Sequence, residues 1–335
     1  MATASGEARL RCDLPLPLLH RGKVREMYEA GPDHLLMVAT DRISAFDVVM
    51  NEPIPRKGEV LTMLTAWWLA RLERSGIPGF AHHAVSADPE RILEQLPELG
   101  DSRDRWARRA LLVRRTAPFP VECVVRGYLS GSAWREYRSE GTLAGEPLAP
   151  GMVESGRFDT PRFSPATKAT EGHDENIPFG GVVDRIGATD AARLRELSLA
   201  IYRFGAEVAA ERGILLAATK FEFGRTPEGR ILLIDEVLTP DSSRYWPEEG
   251  WREGGTPPSL DKQPVRDYLD GVEGWDHAPP APPLPDEVVL ATTERYLEIV
   301  RRLTGVELDE LEPPAFEGAR DPSSGRNPSS GEERA

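Results

Sequence analysis

The chain has 335 residues, which suggests about two domains with ample material for a core. Its 40% hydrophobic and 7% aromatic content is ordinary for a soluble globular protein, and a formal net charge of -14 argues against nucleic acid as the main partner. With two cysteines, Cys12 and Cys123, no disulfide framework or cysteine metal site is expected, and with no run of ~18 apolar residues and no apolar signal core, a cytoplasmic protein without a membrane partner is expected.

Short apolar runs bounded by turn residues, at Val24 to Tyr28, Leu35 to Ala39, Val48 to Met50 and Ala110 to Arg114, predict an antiparallel sheet. Ahead of the first, HRGKVREMY places a glycine and basic residues where backbone amides and Lys23 or Arg25 can drape over phosphates. A plain turn with solvated basic residues is the alternative. Asp41 to Asp47, DRISAFD, sets acids, an arginine and a serine around Ile43 and Phe46, which predicts a structured loop, either binding or purely structural. Val60 to Arg74 has helical apolar spacing and predicts one amphipathic helix, with Trp67 and Trp68 in the core.

From Val121 onward strands mix with longer helices. Glu122 to Tyr137, ECVVRGYLSGSAWREY, sets Arg126 at a strand end before a Gly-Ser-rich turn and a helix start, a good phosphate seat or an ordinary turn. Phe163 to Pro178 gathers Lys168, His173, Asp174, Glu175 and Asn176 in a loop that either closes over substrate or lies solvated. His173 has no partner at metal-ligand spacing, so zinc is a poor fit. A helix is predicted after a capping Thr189, running to about Arg212 and stopping at Gly213.

That helix leads into Ile214 to Phe223, whose alternation puts Ala218, Lys220 and Glu222 on one face. Gly224 to Gly229 reads as a turn and Arg230 to Val237 as the return strand, so Asp235 falls roughly across from Lys220 and Glu222. A lysine beside two carboxylates suits magnesium and phosphate; a solvent-facing hairpin with a cross-strand ion pair is the alternative. The continuation TPDSSR offers Ser242, Ser243 and Arg244 as an anion clamp, or else an Asp-initiated turn with a surface arginine. A last helix, from about Asp286 to Leu303 with Gly305 after it, is assigned to packing. The fold class is α+β in two lobes: a strand-rich antiparallel N-terminal lobe over 1–118, a mixed α/β C-terminal lobe over 119–312, and a tail from 313 to 335 expected to be disordered.

The segments GKVREMY, DRISAFDVVMNEPIPRKG, ECVVRGYLSGSAW, TKATEGHDENI, TKFEFG, DEVLTPDSSRYW and DKQPVRDYL occur in this order between Gly22 and Leu269. Together they resemble the SAICAR synthetase family, the phosphoribosylaminoimidazole-succinocarboxamide synthases of purine biosynthesis. The resemblance implies an ATP-grasp-like fold and an ATP- and magnesium-dependent ligase. Such an enzyme joins the carboxylate of carboxyaminoimidazole ribonucleotide to the amine of L-aspartate through an acyl phosphate, releasing ADP and phosphate. Carried over by position, Lys220, Glu222 and Asp235 are catalytic, with Glu222 and Asp235 on the metal. Gly22, Lys23, Val24 and Arg25 cover the ATP phosphates together with Lys220. Arg126, Ser132, Ser243 and Arg244 seat the ribonucleotide, mainly its phosphate, and Asp41, Ser44, Asp174 and Lys262 shape the remaining substrate pocket. All implied partners are small molecules, and the resemblance leaves room for a homo-oligomer. One departure stands out: Ala218 occupies a position where the family pattern usually has aspartate. Arg56 is a lesser one, at a position where a small or acidic residue is expected. The Ala218 departure leaves two further readings open, a paralogous carboxylate-amine ligase of a specialised pathway and a non-catalytic nucleotide binder.

Overall fold

The structure is a computed structural model that describes residues 8–168 and 175–316. Along the first third run β1 (Leu18–Arg21), β2 (Arg25–Glu29), β3 (His34–Ala39), the short hairpin β4 (Ser44–Ala45) and β5 (Val48–Val49), and α1 (Lys57–Glu73). Then come β6 (Ala84–Ser86), α2 (Pro89–Gln95), α3 (Arg103–Trp106) and β7 (Ala110–Arg114). Strands β1, β2, β3, β7 and β6 form, in that order, one antiparallel sheet. Helix α1 starts three residues before its apolar spacing begins, because Asp41 accepts the Gly58 backbone N–H at 2.9 Å and so caps the first turn. A side chain at Gly58 has no room, since a Cβ there meets the Ala39 carbonyl at 2.4 Å. Trp68 is fully buried as expected, whereas Trp67 is only half-buried, with the Arg71 guanidinium 4.3 Å from its ring centroid.

The second sheet is built from β8 (Ala117–Pro118), β9 (Val121–Tyr128), and, after α4 (Ser132–Glu140) and the small hairpin β10 (Thr142–Leu143) and β11 (Glu146–Pro147), from β12 (Arg157–Phe163) and β13 (Ala166–Thr167). Helices α5 (Phe179–Ile186) and α6 (Ala188–Ala210) cover it, and β14 (Ile214–Arg225), β15 (Ile231–Ile234) and β16 (Ser243–Pro247) complete it. Helices α7 (Gln263–Asp270) and α8 (Asp286–Thr304) follow. Strand β14 is the spine, paired with β9 and β16 along its first part and with β15 and β8 at its end.

Three boundaries differ from the sequence reading. Thr189 is not the cap of α6: Gly187, at φ 84°, makes the corner from α5, and Thr189 lies inside the first turn. The hairpin turn is shorter than Gly224 to Gly229, because Gly224 and Arg225 still pair with Leu232 and Ile231. Gly224 belongs in the strand for lack of space, since a Cβ there meets Thr116 Oγ1 at 2.5 Å. Phe316, within the tail expected to be disordered, is buried and meets the His82 ring edge-on at 5.1 Å. The last helix matches its expectation, ending at Thr304 with Gly305 in the left-handed region at φ 83°.

The sheets meet edge to edge. Residues just before β6 bond to β15: Leu233 donates to the Ala81 carbonyl at 2.9 Å, and His83 donates to the Leu233 carbonyl at 3.0 Å. One hydrophobic core runs unbroken from Met37 and Trp68 through Val125, Ile201 and Phe221 to Tyr296 and Phe316. The chemistry described below lies on the face of β14 turned away from it.

Candidate active site

Strand β14 alternates, but not with one parity. Ile214 and Leu216 face the core, and so do Thr219, Phe221 and Phe223. The switch is a β-bulge: Leu216 pairs with Tyr245 and Ala218 with Arg244, leaving Ala217 as an extra residue. The bulge turns Ala218, Lys220 and Glu222 onto the open face.

Ala218 lies between two arginines in adjacent strands, paired with Arg126 of β9 on one side and Arg244 of β16 on the other. The Arg126 fork donates to Ser164 Oγ at 3.0 Å and to Ser132 Oγ at 3.1 Å, which ties β9 to the first residue of α4. Burial and the neighbouring Arg244 push the Arg126 guanidinium down to about 10. Gly131, at φ 60°, leaves the space that Arg244 uses, since a Cβ there meets Arg244 Nη1 at 2.8 Å. Arg126, Gly131, Ser132, Ser242, Ser243 and Arg244 line a cleft of about 170 Å³. Ser243 is held by Thr219, the two hydroxyls 2.8 Å apart. A larger cavity of about 540 Å³ lies between the β2–β3 turn and the β14–β15 turn, lined in part by His34, Arg115 and Thr226, and neither Glu222 nor Asp235 lines it.

Beside this cationic row sits a mixed-charge cluster. Lys220 pairs with Glu122 of β9 and lies 3.6 Å from Glu222, and these carboxylates more than offset burial, raising its pKa and keeping it charged. Glu222 also pairs with Lys168. Asp235, at φ 64° just past β15, pairs with Arg25 at 2.5 Å, and Arg25 reaches Glu236 at 3.1 Å. Burial, together with Glu222 and Glu236, pushes the Asp235 carboxyl up to about 6 even with Arg25 beside it. Glu222 and Asp235 are carboxylates of the oxygen-donor type that suits magnesium. No group of three His, Cys, Asp or Glu among the described residues is placed to hold a metal alone. A magnesium ion here therefore needs phosphate oxygens to complete its shell.

The glycine loop is the third part. Gly22 donates to the Arg25 carbonyl at 2.8 Å, and Thr40 donates to the Val24 carbonyl at 2.9 Å. Arg42 holds the loop from below, with hydrogen bonds to the Lys23 and Gly22 carbonyls, both at 2.9 Å. Lys23 pairs with Asp47. Arg25 thus joins the loop of one sheet to the carboxylates of the other.

One of the residues expected in the substrate pocket, Asp41, is placed elsewhere. Asp41 is fully buried, and its carboxylate is committed to Gly58, to the Arg9 backbone at 2.8 Å and to Arg109 at 2.6 Å; it is a scaffold residue. Ser44 sits in the β4–β5 hairpin and does not line the cleft. Lys262 lies half-buried and within electrostatic reach of Asp241, which lines the cleft, and Asp174 lies outside the described residues. The sequence reading passed over Glu122, Arg42 and Glu236. Their only signal was adjacency to named residues, because their partners are remote in the chain.

A sequence model of the SAICAR synthetase family matches residues 18–282. The chain is 49% identical over 300 residues to the phosphoribosylaminoimidazole-succinocarboxamide synthase of Syntrophotalea carbinolica, covering 89% of this chain and 98% of that protein. The chain belongs to the SAICAR synthetase family. Among solved structures, SAICAR synthase from Saccharomyces cerevisiae complexed with SAICAR aligns with TM-score 0.78 at 38% identity, covering 91% of this chain and 99% of that one. A type-2 SAICAR synthetase in complex with ADP shares the fold at TM-score 0.62 and 24% identity, covering 89% and 99%. The relatives lend no support to the paralogous-ligase or non-catalytic readings. Among the described residues no helix is long and apolar enough to cross a membrane.

Proposed function

We propose that this SAICAR synthetase joins the carboxylate of carboxyaminoimidazole ribonucleotide to the amine of L-aspartate, with conversion of ATP to ADP and phosphate. The observation that carries the reading is the sharing of one face of β14 by an arginine-lined anion seat and a lysine-carboxylate cluster, two residues apart. A carboxylate is a poor acyl donor until one oxygen becomes a leaving group. Transfer of the ATP γ-phosphoryl group to that oxygen gives an acyl phosphate. The aspartate amine then attacks its carbonyl carbon, and phosphate departs.

Arg126 and Arg244, with Ser132 and Ser243, seat the ribonucleotide phosphate and fix its carboxylate against the ATP. Lys220, held protonated by Glu122 and Glu222, neutralises charge on the phosphoryl group in flight and is not a base. The Gly22 to Arg25 loop covers the ATP phosphates, and Lys262 belongs to the remaining substrate pocket. Magnesium, when bound to Glu222 and Asp235, supplies further neutralisation of the phosphates. Most of the acceleration comes from holding the reactants in line. The same proposal includes an ATP-grasp-like arrangement in which a lobe over 1–118 closes on nucleotide bound to a lobe over 119–312, a cytoplasmic location and small-molecule partners only. Its support is the division of parts: the five-stranded sheet carries the glycine loop, and the other sheet carries the carboxylates and arginines.

An ADP-release assay with magnesium, ATP, carboxyaminoimidazole ribonucleotide and aspartate tests it. The native chain turns over, Ala218→Asp changes kcat less than about tenfold, and Lys220→Met lowers it at least about a hundredfold. Turnover seen only after Ala218→Asp would falsify the reading of the native site as working.

A further inference from the structure

The turn that carries Ser242, Ser243 and Arg244 is fixed from behind by parts of the chain that share no sequence neighbourhood with it. Lys57, the first residue of α1, is fully buried, and its Nζ lies 2.6 Å from Asp241 Oδ2. The two groups form a buried ion pair. Tyr296 of α8, also fully buried, donates its hydroxyl to Asp241 Oδ1, and its ring centroid lies 5.9 Å from Lys57 Nζ. A lysine here breaks two local rules. Burial of a cation is costly, and the positive end of a helix dipole repels it. Such a placement persists where an interaction elsewhere requires it.

That interaction is the turn. Asp241 N donates to Thr239 Oγ1 at 3.2 Å, Ser243 N to the Thr239 carbonyl at 2.9 Å, and Lys220 N to the Ser242 carbonyl at 2.9 Å. The carboxylate of Asp241 is therefore a side-chain handle by which α1 and α8 set where Ser242, Ser243 and Arg244 point into the cleft. We infer that Lys57 and Tyr296 are positioning residues for ribonucleotide binding, acting through Asp241 on the Ser242–Arg244 turn. The inference rests on the proposed function for the identity of the ligand, and it gives the C-terminal helix a task beyond packing.

The test compares wild type, Tyr296→Phe and Lys57→Met. Tyr296→Phe conserves volume and removes one hydroxyl from a charged acceptor, so the fold is retained. The expected result is a ribonucleotide KM raised roughly tenfold with the ATP KM close to wild type, whatever small loss of melting temperature the missing hydroxyl brings. Lys57→Met is expected to act in the same direction, and the double variant to be no worse than the more affected single one, because both act on one carboxylate. The same loss is expected in calorimetric affinity for ribose 5-phosphate, which requires no turnover. If the wild type does not turn over, the functional reading fails, and this binding measurement still decides the clamp. A ribose 5-phosphate affinity within about twofold of wild type in Tyr296→Phe overturns the inference, as does an equal rise of the ribonucleotide and ATP KM values in that variant.

Discussion

Arg126 shows how a single residue can join the scaffold to the chemistry. Its guanidinium is buried, its charge is opposed by Arg244, and its two hydrogen bonds go to neutral hydroxyls at the edges of two different segments. Arg126→Lys keeps the charge but loses the fork, so the ribonucleotide KM should rise roughly 10- to 100-fold while the ATP KM stays put. Steady-state kinetics varying one substrate at a time checks this. Arg56 is the opposite case. It sits at φ 65°, a conformation that favours glycine, and its side chain pairs with Glu59 and Asp309. Arg56→Gly removes about 1 kcal/mol of left-handed strain, loses partly exposed ion pairs worth about 0–1 kcal/mol and gains chain entropy in the unfolded state. The terms nearly cancel, so chemical denaturation should place the variant within about 1 kcal/mol of wild type with unchanged kinetics. Residue types at the site were legible in sequence, but their partners were not. Arg25 finds Asp235 and Lys220 finds Glu122 across chain separations that no local pattern encodes. Asp41 was misassigned for the same reason: its dense polar neighbourhood reads as a binding loop until Arg109 and Gly58 are seen to consume it.

At the scale of elements, the site depends on one irregularity in β14. The alternation that placed Ala218, Lys220 and Glu222 together was readable, because it holds from Thr219 onward. The bulge at Ala217 was not readable, because Leu215, Leu216, Ala217 and Ala218 are all apolar and no contrast marks the change of face. What holds the bulge is α6: Tyr202 donates its hydroxyl to the Leu216 carbonyl at 2.5 Å, just before the extra residue. The tyrosine reaches it only because Gly127 has no side chain, since a Cβ there meets the Tyr202 oxygen at 1.9 Å. Gly127→Ala therefore displaces Tyr202 and disturbs both Arg126 and the bulge. The expected cost is about 1–3 kcal/mol of stability, together with a raised ribonucleotide KM. Thermal denaturation and kinetics on the same sample check it, and loss of stability with unchanged KM would mean the bulge does not depend on α6. Strands and long helices were recovered because their apolar periodicity is strong, whereas the α6 cap shifted to the positive-φ corner at Gly187 and the hairpin turn shifted because Gly224 fits closely against Thr116.

The whole molecule is organised so that two sheets share one core and are joined edge to edge by the backbone hydrogen bonds between β15 and the residues just before β6. Phe316 seals the junction from outside, packed on His82 beside the strip that joins β15 to β6. Phe316→Ala should cost about 3–5 kcal/mol and leave a single calorimetric transition, because the core is continuous; two separated transitions would contradict that continuity. The second tie between distant parts is Asp241, where α1, α8 and the anion turn converge. Burial works against its ionisation, but Lys57, Lys262 and the hydrogen bond from Tyr296 more than compensate, holding the carboxyl well below the usual range. A carboxyl whose folded pKa is depressed contributes stability that is present above its unfolded value of about 3.9 and is lost as pH falls through the folded one. Lys57→Met strips the principal partner and leaves a buried charge, so it should cost roughly 3–5 kcal/mol at pH 7. As pH falls below about 4 the penalty should shrink, since the carboxyl stranded in the variant takes up a proton and no longer needs a counter-charge. Denaturation of both proteins between pH 7 and pH 3 measures the gap. If it stays constant across that range, Lys57 supports the fold by packing alone and the ion pair contributes nothing.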